Sequence, residues 1–349
     1  MTSAQIILLL SRADDSIVAL PRGTGRPWAE TALDLAGFTR QYGGIRTLPL
    51  TDTAAAREAL AHLTQTARDC QTQITTSNRA YLGDVASAIS GSLPGAWKVT
   101  TENFTMPDVQ QGLVSWLWGS ENKLATAITQ YGVPYGAVLS DQRGAEFLLI
   151  ERPGAEGWYL LGALVPDADY IDLPVPAPCT IAAPTLQTAS VAMRTVLLPA
   201  YEQAVRLVHL HEAEEDLAWV QETFEPGTVI EPYPFHLAAK LEQFLKRAPG
   251  FISAIRHPDA PVLAPPQAAF LDSFEDALNA ARSGPDQALR SSPNTMALWL
   301  DNGAQLIELA RAIRAPIGPS APSAPARPGV RTAAPPPPPA ADTAATHRR

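Results

Sequence analysis

Cysteine is the scarcest useful residue in this chain. Only Cys70 and Cys179 occur in 349 residues, too few and too far apart for a disulfide framework or a cysteine-built zinc site. Lysine is scarce too, at 4 of the 26 basic residues, the other 22 being arginine. Together with abundant Ala and Pro, that bias points to a GC-rich genome and carries no mechanism. Long apolar runs are missing. Nothing reaches the roughly 18 uninterrupted apolar residues that a membrane helix needs. The opening MTSAQIILLLSR lacks the basic region of a secretory signal. These absences predict a soluble cytoplasmic protein with reduced thiols and no membrane partner. There is also no GxGxxG, no GK[ST] and no HExxH, so no cofactor and no metal is expected.

Charge of one sign is present in excess. The net charge is −9, and its distribution is uneven: −1 over residues 1–130, −9 over 131–224, −2 over 225–314 and +3 over the last 35. A field as negative as that of 131–224 repels phosphate backbones, which argues against nucleic acid on that block. The neutral first block stays open on this point.

Periodicity predicts an α+β fold. Ile6–Leu10 and Ser16–Leu20 read as a hairpin. Pro27 opens a helix expected to reach Gln41, where Gly43-Gly44 stops it. Ile45–Leu50 reads as a strand, and Asp52 or Thr53 caps a helix to about Cys70, giving a mixed ββαβα module. Helices near 79–90, 107–117 and 120–131, with a strand at Trp97–Phe104, complete a domain over 1–131. A three-stranded antiparallel meander follows, Tyr135–Leu139, Glu146–Glu151 and Trp158–Val165. Its inner runs FLLI and WYLLGALV are apolar on both faces and need cover on both. The helix 207–224 is the expected cover, after a kink at Pro199. The meander and its helix make a domain over 132–225. A helical region spans 226–314, and 315–349 is a Pro/Ala tail with PPPPP at 335–339, expected to be disordered.

Few stretches carry chemistry. Arg22-Gly23-Thr24-Gly25-Arg26 lies between a strand and a helix start, where glycines and free N–H groups suit an anion and two arginines flank it. The bland alternative is a turn with solvated arginines. In His209-Leu-His211-Glu212-Ala-Glu214-Glu215, residues two apart on a helix point to nearly opposite sides, so the two histidines do not share an ion. Cys70 near a helix end and Cys179 in a Pro-rich loop read as unreactive. Trp116 and Trp118 in SWLWGS face different ways on a helix, so one is an interface candidate. No triad or paired-carboxylate pattern stands out, so no catalytic residue is assigned.

Two short segments carry a resemblance. ALDLAGFTRQYGGIRTLPL (32–50) and TVLLPAYEQAV (195–205) resemble stretches of uncharacterised proteins from high-GC actinobacteria, often of plasmid or integrated-element type. The resemblance implies a mobile-element context and brings no function. The leading expectation is a non-catalytic intracellular binding or adaptor protein with a protein partner. The alternatives are a domain or enzyme for a small phosphorylated ligand at Arg22–Arg26, and nucleic-acid binding by residues 1–130.

Overall fold

The computed structural model describes residues 4–104, 107–119, 123–154, 157–171, 173–223, 235–258, 260–282 and 293–313. The Pro/Ala tail lies outside them. Residues 1–316 cluster as a unit of their own. The hairpin is present, with β1 (Gln5–Ser11) antiparallel to β2 (Ser16–Arg22). Helix α1 spans Arg26–Leu35 and stops well before Gln41. The reason is Gly37 at φ 82°. Its N–H bonds the Asp34 carbonyl and the Phe38 N–H bonds that of Leu33, a Schellman ending that favours glycine in the left-handed position.

The chain then forms β3 (Thr39–Arg40) and β4 (Arg46–Pro49), and α2 (Thr53–Asp69) begins under an Asp52 cap that accepts the Ala54 and Ala55 N–H groups. A strand the periodicity did not reveal, β5 (Gln73–Thr76), pairs parallel with β1. The first sheet therefore has the order β3-β4-β2-β1-β5. Strand alternation divides its side chains. Ile6 and Ala19 pack with Leu33 of α1 and Leu63 of α2. Leu9, Val18 and Leu20 point the other way, towards Tyr81 and Tyr135.

The second sheet is antiparallel throughout and larger than a three-stranded meander. β6 (Trp97–Asn103), β7 (Tyr135–Asp141), β8 (Glu146–Glu151), β9 (Tyr159–Ala163) and β10 (Ile181–Ala183) lie in the order β10-β9-β8-β7-β6. Because β6 pairs with β7 over its whole length, this sheet draws on residues before 131 as well as after. Both faces are covered, as the doubly apolar strands require. Ala137, Leu139, Phe147 and Leu149 face α3 (Leu82–Ser90) and the helices after residue 185. Val138, Leu148, Ile150 and Leu160 face α5 (Lys123–Tyr131), which follows α4 (Pro107–Ser115).

The break expected at Pro199 is a local widening. Between α6 (Leu186–Ala192) and α7 (Leu198–Thr223) the helix makes one π-turn, Met193–Leu197. A π-turn absorbs the missing proline N–H and the ring's clash with the preceding turn. The cover of the sheet is therefore α6, the π-turn and the start of α7, where Tyr201, Ala204 and Val208 pack. Further along, Leu210, Ala213, Leu217 and Val220 join a separate core with α8 (Phe235–Ile255), α9 (Pro265–Arg282) and α10 (Pro293–Ala312).

Candidate functional site

The two sheets meet along Tyr81, Tyr135 and a tight backbone approach at Gly43. Tyr42–Gly44 forms a 3-10 turn against β6. A Cβ on Gly43 would stand 2.2 Å from the Thr101 carbonyl oxygen, and its φ is 78°, so only glycine fits. Beside this seam the sheets part. Two adjoining hollows of about 580 and 570 Å³ open there, sharing Thr76, Ser77, Arg79 and Glu151.

Three arginines from three separate places line this cleft: Arg22 at the end of β2, Arg79 just after β5, and Arg152 just after β8. Arg22 is on the same face as Leu20, by strand alternation from the core edge. Burial holds its guanidinium below the ordinary pKa, with Tyr135 opposing that shift and Arg79 adding to it. Arg79 reaches across to Glu151 of the other sheet, with its Nη1 3.4 Å from each carboxylate oxygen. That is a long contact, and half the Arg79 side chain is exposed (49%), so it is weak and exchangeable. Arg152 lies over the Trp158 ring at 5.4 Å, a cation–π contact that holds its plane at the rim. Tyr135 keeps its proton, because burial first and then the charge of Glu151 raise its pKa. It is therefore a neutral donor. Ser77 and Asn78 add polar groups at the C-terminal end of β5, where it runs parallel to β1. Open sheets with parallel strands bind ligands at such ends.

The loop Arg22–Arg26 does not act as one cradle. Arg22 enters the cleft. Arg26 turns to Glu30, with Nε 2.6 Å from Oε1, and to Asn103. Gly25, the N-cap of α1, abuts the residue before β1, because a Cβ there would stand 2.7 Å from that of Ala4. Gly23 takes φ 86° and Thr24 is exposed. Of the two tryptophans, Trp118 is buried against Tyr201, ring centroids 5.6 Å apart, and Trp116 is 46% exposed. His211 pairs with Glu215 at 3.4 Å, and His209 stacks edge-on against Tyr170. Cys70 is half-buried, Cys179 exposed, and both are free thiols. Arg79, Tyr135, Glu151 and Arg152 were not singled out in the sequence. Reading QITT as a strand would have flagged SNR as the loop at its carboxyl end.

Compared with protein-family models, with curated proteins and with solved structures, the chain matches none. Among the described residues no helix is long and apolar enough to cross a membrane.

Proposed function

We propose that this chain is a non-catalytic binding protein whose intersheet cleft takes a small phosphorylated ligand. The observation that carries this reading is the convergence of Arg22, Arg79 and Arg152 on one hollow where, among the described residues, the lining holds one carboxylate, Glu151, in a chain of net charge −9. Arginine forks match phosphate oxygens two at a time. Arg22, half-buried and with no acceptor among the described residues, takes the phosphate. Arg79 leaves its long contact with Glu151 to join it, and Tyr135 donates from the wall. Among the described lining residues there is no histidine or cysteine, which supports binding ahead of catalysis. In the first module Arg26, Arg46 and Arg79 already face Glu30, Asp34 and Glu151, which favours a small anion over a nucleic-acid backbone. The cytoplasm suits the two free thiols. Calorimetry with pyrophosphate and ribose 5-phosphate tests the reading. We expect saturable, salt-sensitive binding that Arg22→Met weakens about tenfold or more and Arg26→Met leaves alone. Equal affinities in the two variants, or no heat with either probe, reject it.

A second reading, the adaptor, rests on α1. Trp28 and Leu35 stand 62% and 59% exposed and lie two helical turns apart on one face. This supports a protein-partner face separate from the cleft. Photo-crosslinking from position 31, between them, checks it against the same label at Arg57 on α2. Equal yields at both positions remove the reading.

A further inference from the structure

A second cavity lies where the second sheet meets the helical bundle, and it shares no lining residue with the cleft. It measures about 470 Å³ and sits between Leu198–His209 of α7 and Arg247–Ala254 of α8, with His257 just past the end of α8 and Asp141, Arg143 and Tyr170 also lining it. That volume suits a small-molecule site. Its walls combine apolar side chains, Leu198, Tyr201, Val205 and Phe251, with arginines that differ in how they are satisfied. Arg143 is neutralised by Asp141 at 3.0 Å and meets Glu202 at 3.8 Å. Arg247 is ion-paired with Glu212 at 2.7 Å, though its Nη1, like two nitrogens of Arg206, is buried without an acceptor. Arg206 has no ion-pair partner among the described residues. Its Nε and Nη2 are buried without an acceptor, and burial pulls its pKa down against the pull of Glu202 one turn away.

Buried guanidinium N–H groups without an acceptor are costly, because here only the Glu202 charge one turn away offsets their desolvation. Such an atom pair beside an apolar hollow is the half-built part of a binding site. The rest of the wall sets what fits. His209, at the same hollow, is held neutral by burial and by Arg247, its pKa pushed down to about 4, so it adds no second positive charge. Asp141 and Glu202 at the rim repel a multiply charged ligand.

We propose that this cavity is a second ligand site, for an amphipathic monoanion that places a carboxylate or sulfonate on Arg206 and an apolar body against Leu198, Tyr201 and Phe251. It differs from the intersheet cleft in how its arginines are held: here Arg143 and Arg247 already have ion-pair partners and Arg206 has none among the described residues, whereas Arg22, Arg79 and Arg152 converge on one hollow in the cleft. The inference stands independently of the phosphate reading.

The test is fluorescence titration of the full chain with 1-anilinonaphthalene-8-sulfonate, followed by displacement with decanoate and, separately, with 1-decanol. We expect saturable binding of the dye, displacement by decanoate, and at least about tenfold poorer displacement by the uncharged alcohol. Arg206→Met weakens decanoate about tenfold or more, and Arg22→Met leaves it unchanged. Arg206→Met also folds and melts no lower than the parent, since it removes two buried N–H groups that lack an acceptor. Should that variant fold poorly, Arg206→Lys replaces it and binds decanoate more weakly than the parent, losing the fork while keeping the charge. Equal displacement by decanoate and decanol overturns the proposal. So does decanoate binding that survives in both Arg206 variants, or no saturable dye or decanoate binding at millimolar concentration.

Discussion

The two sheets have five strands each, yet they are covered differently. The second is sandwiched, with α3 and α6–α7 on one face and α5 on the other, and Phe147, Leu149, Leu148 and Ile150 are all at 0% exposure. The first has helices on one face only. Its other face meets the second sheet along a seam and then turns away, leaving Leu20 and Arg22 at the edge of open space. A fully covered sheet has every apolar group spoken for and no room for a ligand. A partly covered one leaves a wall where polar groups enter between apolar ones. The best-covered apolar core belongs to the second sheet, but Arg22 and Arg79 of the cleft come from the first.

The sharpest way to break this comparison is to carve the sandwiched core. Phe147→Ala should cost about 3–5 kcal/mol, read as a shift in the urea midpoint with the slope kept. Leu20→Ala removes a side chain that already borders a hollow, so it should sit near the low end for a leucine truncation, about 2 kcal/mol. If the two losses come out equal, the difference in cover does not matter energetically.

Acid probes the other end of the second sheet. His209 has a folded pKa of about 4 against 6.5 unfolded. A depressed histidine pKa means the unfolded chain binds the proton more readily, so stability is present above pH 6.5 and is lost as pH falls towards 4. The loss amounts to up to about 3 kcal/mol, with burial first and then Arg247 as its sources. His209→Gln should flatten that part of the stability–pH curve. A parent and variant with parallel curves between pH 6.5 and 4 would contradict the assignment.

The smallest effect belongs to Trp116, the exposed member of the tryptophan pair. Trp118→Ala, in the core at 3% exposure, should cost about 3–5 kcal/mol. Trp116→Ala, exposed, should stay within about 0.5 kcal/mol, measured by thermal melting. A large loss at Trp116 would mean that its exposed ring is held by the fold.

Much of this was legible in the residues. The hairpin at 5–22, the Asp52 cap, the antiparallel core from Tyr135 to Ala163 and the need to cover both of its faces follow from alternation and turn chemistry. The α+β class follows with them. Three things were not legible. QITT has four residues and no strong apolar alternation, so its pairing with β1 depends on a long-range parallel contact. Gly37 ends α1 at a left-handed position, and a glycine followed by Phe38 within a helical stretch does not announce that on its own. The site is the third. Arg79 and Arg152 lie far from Arg22 in sequence, and only the parting of two sheets brings them together. Arg206, at one position on a helix of unremarkable periodicity, gives no sign in sequence that its guanidinium lacks an acceptor.

The long helix α7 has a consequence for how the protein is handled in a cell. Its first turns complete the sheet core, and its later turns, Leu210, Ala213, Leu217 and Val220, complete the bundle core. Proteolysis after residue 223 would not release a clean fragment. It would strip the bundle from a helix still anchored at Tyr201 and Val208, leaving an adhesive stripe for chaperones and for other copies of the chain. The bundle thus covers the apolar stripe of its neighbour, and its loss would also remove one wall of the α7–α8 cavity.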